Sequence, residues 1–135
     1  MRIVIDASVA VKWVLNEPRT EEAVALRDEQ LLAPELWLAE AANALWRHVQ
    51  LGELTAEQAL ARMSELQQAP IASLAIEPYI SAALQLAARG NHPVYDCVYL
   101  AVAIHHGITV VTDDRRFAAA AARLGLSERV CLLGG

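Results

Sequence analysis

The chain has 135 residues, of which 56% are hydrophobic and 20% charged, and its formal net charge is −5. This composition predicts one domain, residues 1–135, with a sizeable core, and the acidic balance argues against unaided electrostatic binding to nucleic acid. The longest apolar run, Cys97 to Ile104, is too short for a membrane span of about 20 residues. No signal-peptide pattern occurs, and the spacing of Cys97 and Cys131 suits neither a metal site nor a redox motif. We therefore expect reduced cysteines, a cytoplasmic protein and no membrane association.

Short apolar strands alternate with helices along the whole chain. In order, the first elements predicted are strand 2–5, helices 9–15 and 20–30, strand 31–34, helices 35–51 and 55–67, strand 73–76 and a helix ending near residue 89. A buried helix from Pro93 to the stop at Gly107, strand 108–112, helix 117–124 and strand 130–132 follow. This alternation predicts an α/β fold, with a parallel or mostly parallel central sheet covered by helices on both faces.

Acidic residues follow two of the predicted strands directly. Asp6 comes after the first strand, and Asp113 and Asp114 come after the strand that ends at Thr112. In open parallel sheets, ligands bind beyond the carboxyl ends of the strands, so these acids are candidates for one site. The alternative is that each aspartate only caps the helix that follows it.

Two further acids lie on predicted helices. Asp96 opens the most apolar helix, where it could merely favour the helix dipole, but an acid on so apolar a helix should be partly buried. Glu40 shares a helical face with Asn43 and Arg47, among small alanines. The alternative for that face is a solvated stripe with a Glu40–Arg47 contact.

Such acids can meet only if a cation offsets their repulsion, which is about 4 kcal/mol for one pair 4 Å apart at an effective dielectric constant of 20. Oxygen ligands without His or Cys partners favour Mg²⁺ or Mn²⁺. The chemistry that such an ion supports is hydrolysis of phosphate esters. The four histidines have no metal-type spacing with one another, and the chain has no Gly-rich phosphate loop.

Three segments of the chain resemble PIN-domain proteins, and VapC-type toxins in particular, which are the ribonuclease halves of toxin–antitoxin pairs. The segments are IVIDASVAVKW, LLAPELWLAEAANALWR and HPVYDCVYLAVAIHHGITVVTDDRRF, and the resemblance extends from the first strand to about Leu124. It implies a PIN-like three-layer sandwich and a metal-dependent endoribonuclease that uses Mg²⁺ or Mn²⁺.

The resemblance also assigns roles to residues, although either acid of the Thr112–Asp113–Asp114 turn could face the metal. The implied catalytic and metal-binding acids are Asp6, Glu40, Asp96 and Asp114, and the implied supporting residues are Ser8, Asn43, Thr112 and Asp113. The implied partners are an RNA substrate, a second copy of the chain and an antitoxin whose C-terminal segment lies across the acidic site.

Arg115 and Arg116 follow the last of these acids and could hold RNA phosphates, or they could form a solvated helix start. The functional alternative to a ribonuclease is a PIN-like binding or assembly module that does not cleave. A phosphatase of another α/β family fits less well, because Asp6-Ala7-Ser8 lacks the second aspartate of a D-x-D loop.

Overall fold

The computed structural model describes residues 1–135 and contains one five-stranded sheet. The strands are β1 (Arg2–Ile5), β2 (Gln30–Pro34), β3 (Ile71–Leu74), β4 (Thr109–Thr112) and β5 (Val130–Leu132). All neighbouring strands are parallel, in the order β3-β2-β1-β4-β5. The predicted α/β class with a parallel central sheet is confirmed.

Seven α-helices connect the strands and cover the sheet. They are α1 (Ala7–Ala10), α2 (Thr20–Ala25), α3 (Leu36–Gln50), α4 (Ala56–Gln67), α5 (Ile80–Gly90), α6 (Val94–His106) and α7 (Arg115–Arg123). None of them combines the length and the apolar character that a membrane span requires.

Several element boundaries differ from the prediction. Strand β3 begins at Ile71, two residues before the predicted start at Ser73, and pairs with β2 at the edge of the sheet. Its middle residues are exposed, so the apolar pattern that predicts a buried strand is weak there. Helix α7 begins at Arg115 rather than Phe117, because Asp114 caps it. Helix α1 begins at Ala7, and the chain tightens into a 3₁₀ turn over Val11–Trp13.

Helix α6 lies in the centre of the molecule, as its apolar sequence predicts. Its residues from Cys97 to Ala103 are all buried, and the helix packs on β1, β2 and β4. Burial raises the pKa of the Cys97 thiol to about 11, and both cysteines are unpaired. Because α6 packs on three strands, its N-terminal end, which carries Asp96, has a fixed position relative to the sheet.

The strand order reverses between β1 and β4, and this makes the carboxyl ends of these two central strands a topological switch point. Strand β1 pairs with β2 on one side and with β4 on the other, and Ile5 lies opposite Val111. Asp6, which follows β1, and Thr112, the last residue of β4, are therefore neighbours. Ligand sites of open α/β sheets lie at such switch points.

Candidate active site

A cleft of about 320 Å³ opens at the carboxyl ends of β1 and β4. Its lining includes Asp6, Ser8, Lys12, Glu17, Glu40, Arg47, His48, Asp96, Asp113 and Asp114. All four acids that the resemblance assigns to a metal site therefore face one cleft. The four acids lie just before α1, on α3, on α6 and in the β4–α7 turn, and each has its own set of contacts.

Asp6 lies at the buried end of the cleft, where only 5% of its surface is exposed. It precedes α1 but makes no capping hydrogen bond to the helix backbone. Instead its two carboxylate oxygens accept hydrogen bonds from the hydroxyls of Ser8 and Thr112, each at 2.5 Å. The backbone amides of Asp113 and Asp114 in turn donate to these hydroxyls, at 2.9 and 3.0 Å. The capping alternative for Asp6 is therefore wrong.

The environment of Asp6 favours its neutral form. Burial raises the pKa of Asp6 to about 7, and the nearby charges of Asp96 and Glu40 add to the effect, while the hydrogen bonds from Ser8 and Thr112 oppose it. Burial is the larger cause of this rise in pKa, and the repulsion expected from the sequence among the clustered acids is a smaller one. A cation bound beside Asp6 would restore its charge.

Glu40 reaches the cleft from the middle of α3. Its Oε1 accepts a hydrogen bond at 2.6 Å from the hydroxyl of Tyr99, whose side chain is fully buried on α6. Burial and the charge of Asp96 raise the pKa of Glu40, against the opposing effect of this hydrogen bond. No Glu40–Arg47 ion pair forms, so the solvated-stripe alternative is not observed.

Asp96 lies in the first turn of α6 and is partly buried, as expected, with 21% of its side chain exposed. Its Oδ2 lies 2.6 Å from Nε2 of His92, four residues earlier in the chain. Burial and the charge of Asp114 raise the pKa of Asp96, whereas His92 lowers it. This contact was not predicted from the sequence, although the four-residue spacing from His92 to Asp96 is a usable signal.

The two aspartates after β4 have different partners. Asp113 accepts hydrogen bonds from Arg19 at 2.6 and 3.1 Å and pairs with the Lys12 ammonium at 3.1 Å. Burial alone would raise the pKa of Asp113, but these two cations hold it below its usual value. Asp114 caps α7 through Oδ1, which accepts from the amides of Arg116 and Phe117. The capping role is therefore real for Asp114, and its carboxylate lines the cleft as well.

The remaining candidates lie around the rim. Asn43 is exposed and lines an adjacent groove with Glu40 and Arg47 rather than the cleft itself. Arg115 and Arg116 are exposed and line a shallow recess that they share with Ser8, Asp113 and Asp114. Arg116 also borders a second recess that contains His92 and Asp96.

The residues present fit a divalent metal ion such as Mg²⁺ or Mn²⁺. The four predicted acids supply only oxygen donors, and none of them forms an ion pair with a lysine or arginine. No three acidic, histidine or cysteine side chains are close enough together in this structure to hold an ion as they stand. Hydroxyls, His92 and backbone amides contact the four carboxylates. A bound ion would offset the burial cost that raises the pKa of Asp6, Glu40 and Asp96.

Known proteins resemble this chain over most of its length. The family model of the PIN domain matches residues 3–123. Ribonuclease VapC3 of Pyrobaculum aerophilum is 31% identical over 123 residues, which cover 87% of this chain and 93% of that protein. Ribonuclease VapC12 of Mycobacterium tuberculosis is 32% identical over 118 residues, which cover 86% of this chain and 89% of the relative.

Solved structures share the fold at lower sequence identity. PAE2754 from Pyrobaculum aerophilum superposes with a TM-score of 0.75 at 23% identity, over 99% of this chain and 93% of the other. VapC20 of Mycobacterium tuberculosis, described as a sarcin-ricin loop cleaving toxin, gives a TM-score of 0.68 at 18% identity, over 87% and 94% of the two chains. FitAcB from Neisseria gonorrhoeae gives 0.64 at 19% identity, over 97% and 96%. At these identities the likeness is one of fold.

Proposed function

Because the chain belongs to the PIN domain family, we propose that it is a metal-dependent endoribonuclease of the VapC type, which hydrolyses phosphodiester bonds in RNA. The observation that carries this proposal is the set of acids in the cleft. Asp6, Glu40 and Asp96 come from three separate elements, face one another closely enough to interact by charge, and have raised pKa values. A protein without a cation to bind would gain stability by losing such an arrangement. The sequence relatives that carry the name ribonuclease VapC support the same activity.

Asp6, Glu40, Asp96 and Asp114 are the residues that would hold Mg²⁺ or Mn²⁺. When bound, such an ion polarises a phosphoryl oxygen and lowers the pKa of a coordinated water. The chain's own residues keep the acids in place for this task. Ser8 and Thr112 fix both oxygens of Asp6, and Tyr99 and His92 fix Glu40 and Asp96.

RNA must approach an acidic cleft, so cations at its rim are needed to hold the strand. Arg115 and Arg116 lie beside Asp114 on one side, and Arg47 lines the cleft on the side of α3. Arginines in this position bind phosphates without reading the base sequence. We assign backbone binding to these three residues, and a bound metal ion would add to the positive potential between them.

The proposed partners follow from the family. A cognate antitoxin would inhibit the enzyme by placing its C-terminal segment over the acidic cleft, and the toxin would form a homodimer. Arg47, which lines both the cleft and the adjacent groove next to Glu40, offers a contact for an acidic group of such a segment.

The test is cleavage of total cellular RNA by the purified chain, with millimolar Mg²⁺ or Mn²⁺ and with a chelator. We expect cleavage with the metal ions and none with the chelator. Glu40→Gln should abolish cleavage, whereas Glu65→Gln, the same change on an exposed face of α4, should not. RNA binding without cleavage under all metal conditions would contradict the proposal and favour a non-cleaving PIN-like module.

A further inference from the structure

Lys12 is a buried cation inside an acidic cleft. It is the only lysine in the chain, and only 4% of it is exposed. It lies on the 3₁₀ turn that continues α1, and its ammonium is 3.2 Å from Oε1 of Glu17 and 3.1 Å from Oδ2 of Asp113. Lys12 has no role in the metal site formed by the four acids.

Lys12 forms its ion pairs with Glu17 and Asp113 only. It forms no ion pair with Asp6, Glu40, Asp96 or Asp114. The exposed fraction of the side chains increases from 4% at Lys12 to 17% at Asp113 and 43% at Arg19, which also pairs with Asp113. Lys12 is thus the inner cation and Arg19 the outer cation of the same carboxylate.

A buried ammonium is costly unless its charge is compensated, so the position of Lys12 depends on Glu17 and Asp113. Two carboxylates that flank one point in the lining of a cleft are also the usual protein ligands of Mg²⁺ and Mn²⁺, which commonly take one or two carboxylates. The place of the Lys12 ammonium therefore has the ligands of a second metal position.

We propose that the Lys12 ammonium occupies this second cation position, between Glu17 and Asp113, so that the cleft binds a single divalent ion. This inference rests on the proposed metal dependence and adds the number of ions. Enzymes that cleave phosphodiesters often use two metal ions about 3.5–4 Å apart. Here Lys12 supplies one positive charge that does not depend on the metal concentration. The four acids bind the single exchangeable ion.

The experiment is a calorimetric titration of the full chain with MnCl₂ near pH 7.5, with a melting curve for each variant. The wild type should bind one Mn²⁺. Lys12→Met should bind two, the second more weakly, because Glu17 and Asp113 are left without their inner cation. Adding Glu17→Gln to Lys12→Met should remove the second site.

Two variants are matched controls. Lys12→Arg keeps a cation at the inner position, so its stoichiometry should remain one. Arg19→Met removes the outer cation of the same Asp113 and leaves Lys12 in place, so it should also bind a single Mn²⁺.

Two Mn²⁺ ions in the wild type would overturn the inference, and so would a folded Lys12→Met that still binds one. If Lys12→Met does not fold, the stoichiometries of the wild type and Arg19→Met decide: one ion in each supports the inference, and two in either overturns it. A wild type that cleaves RNA with two bound ions contradicts only the inference. A wild type that binds no Mn²⁺ contradicts the proposed metal dependence together with the inference.

Discussion

Replacing Asp6 by Asn should stabilise the metal-free protein at pH 8 and destabilise it at pH 4. Burial raises the pKa of Asp6 from 3.8 to about 7, so the folded state holds this proton more tightly than the unfolded state. The free energy of unfolding therefore falls as pH rises from about 4 through about 7, and the loss is complete above that range. A difference of about three pKa units, at 1.36 kcal/mol per unit, corresponds to a penalty of about 4 kcal/mol at pH 8.

The asparagine removes this penalty but fits the site less well. The protonated carboxyl group of Asp6 presents one O–H to the hydroxyls of Ser8 and Thr112, whereas asparagine presents an NH₂ whose second N–H needs a further acceptor, at a cost of about 1 kcal/mol. The net gain at pH 8 should be about 3 kcal/mol. At pH 4, where Asp6 is protonated in the folded protein, only the cost remains, so the sign of the effect reverses.

The assay is urea denaturation of both proteins at pH 4 and pH 8 in the presence of a chelator. Asp113→Asn is the matched control with the opposite expectation, because Arg19 and Lys12 hold the pKa of Asp113 below its usual value. That variant should lose stability at pH 8. An Asp6→Asn protein less stable than the wild type at pH 8 would refute the claim that burial of this carboxylate opposes folding.

Three other predictions concern the same cleft. Asp114→Ala should remove most RNA cleavage and Asp113→Ala less, as measured by initial rates; the reverse ranking would mean that Asp113 faces the metal. Tyr99→Phe removes the hydrogen bond that lowers the pKa of Glu40, so the acid limb of the pH–rate profile should move to higher pH, and an unchanged limb would contradict this. A hundredfold excess of Mg²⁺ or Mn²⁺ over Kd should stabilise the wild type by about 2.7 kcal/mol near neutral pH and by less at acid pH, where protons compete; a melting temperature that ignores both ions would argue against a metal site.

The sequence was sufficient for the fold and for the edge of the sheet at which the acids lie. Strands that alternate with helices fix a parallel sheet, and acids that follow parallel strands must lie at the same edge. That β1 and β4 are neighbours, so that Asp6 meets Thr112, depends on the strand order, which local patterns do not give. The start of β3 was missed because this edge strand is half exposed and its apolar pattern is weak.

The contacts of individual acids could not be predicted, because they depend on residues far away in the chain. Asp113 is held by Arg19 and Lys12, which are about a hundred positions earlier and meet it only after β1 and β4 have paired. The contact of Tyr99 with Glu40 likewise joins side chains of α6 and α3 that are 59 positions apart and meet only in the folded chain. In both cases the residue type was visible in the sequence, and the partner was not.

The most direct test of the central claim measures metal binding and RNA cleavage on the same samples of wild type and Asp96→Asn. Asp96 comes from the core helix α6, and its side chain is mostly buried at the wall of the cleft, so a folded variant changes the charge and the contact with His92. We expect the wild type to bind Mn²⁺ and to cleave RNA. The variant should keep its cooperative melting transition but lose both Mn²⁺ binding and RNA cleavage. A folded Asp96→Asn protein that binds Mn²⁺ and cleaves RNA as the wild type does would contradict the claim that these acids form a catalytic metal site.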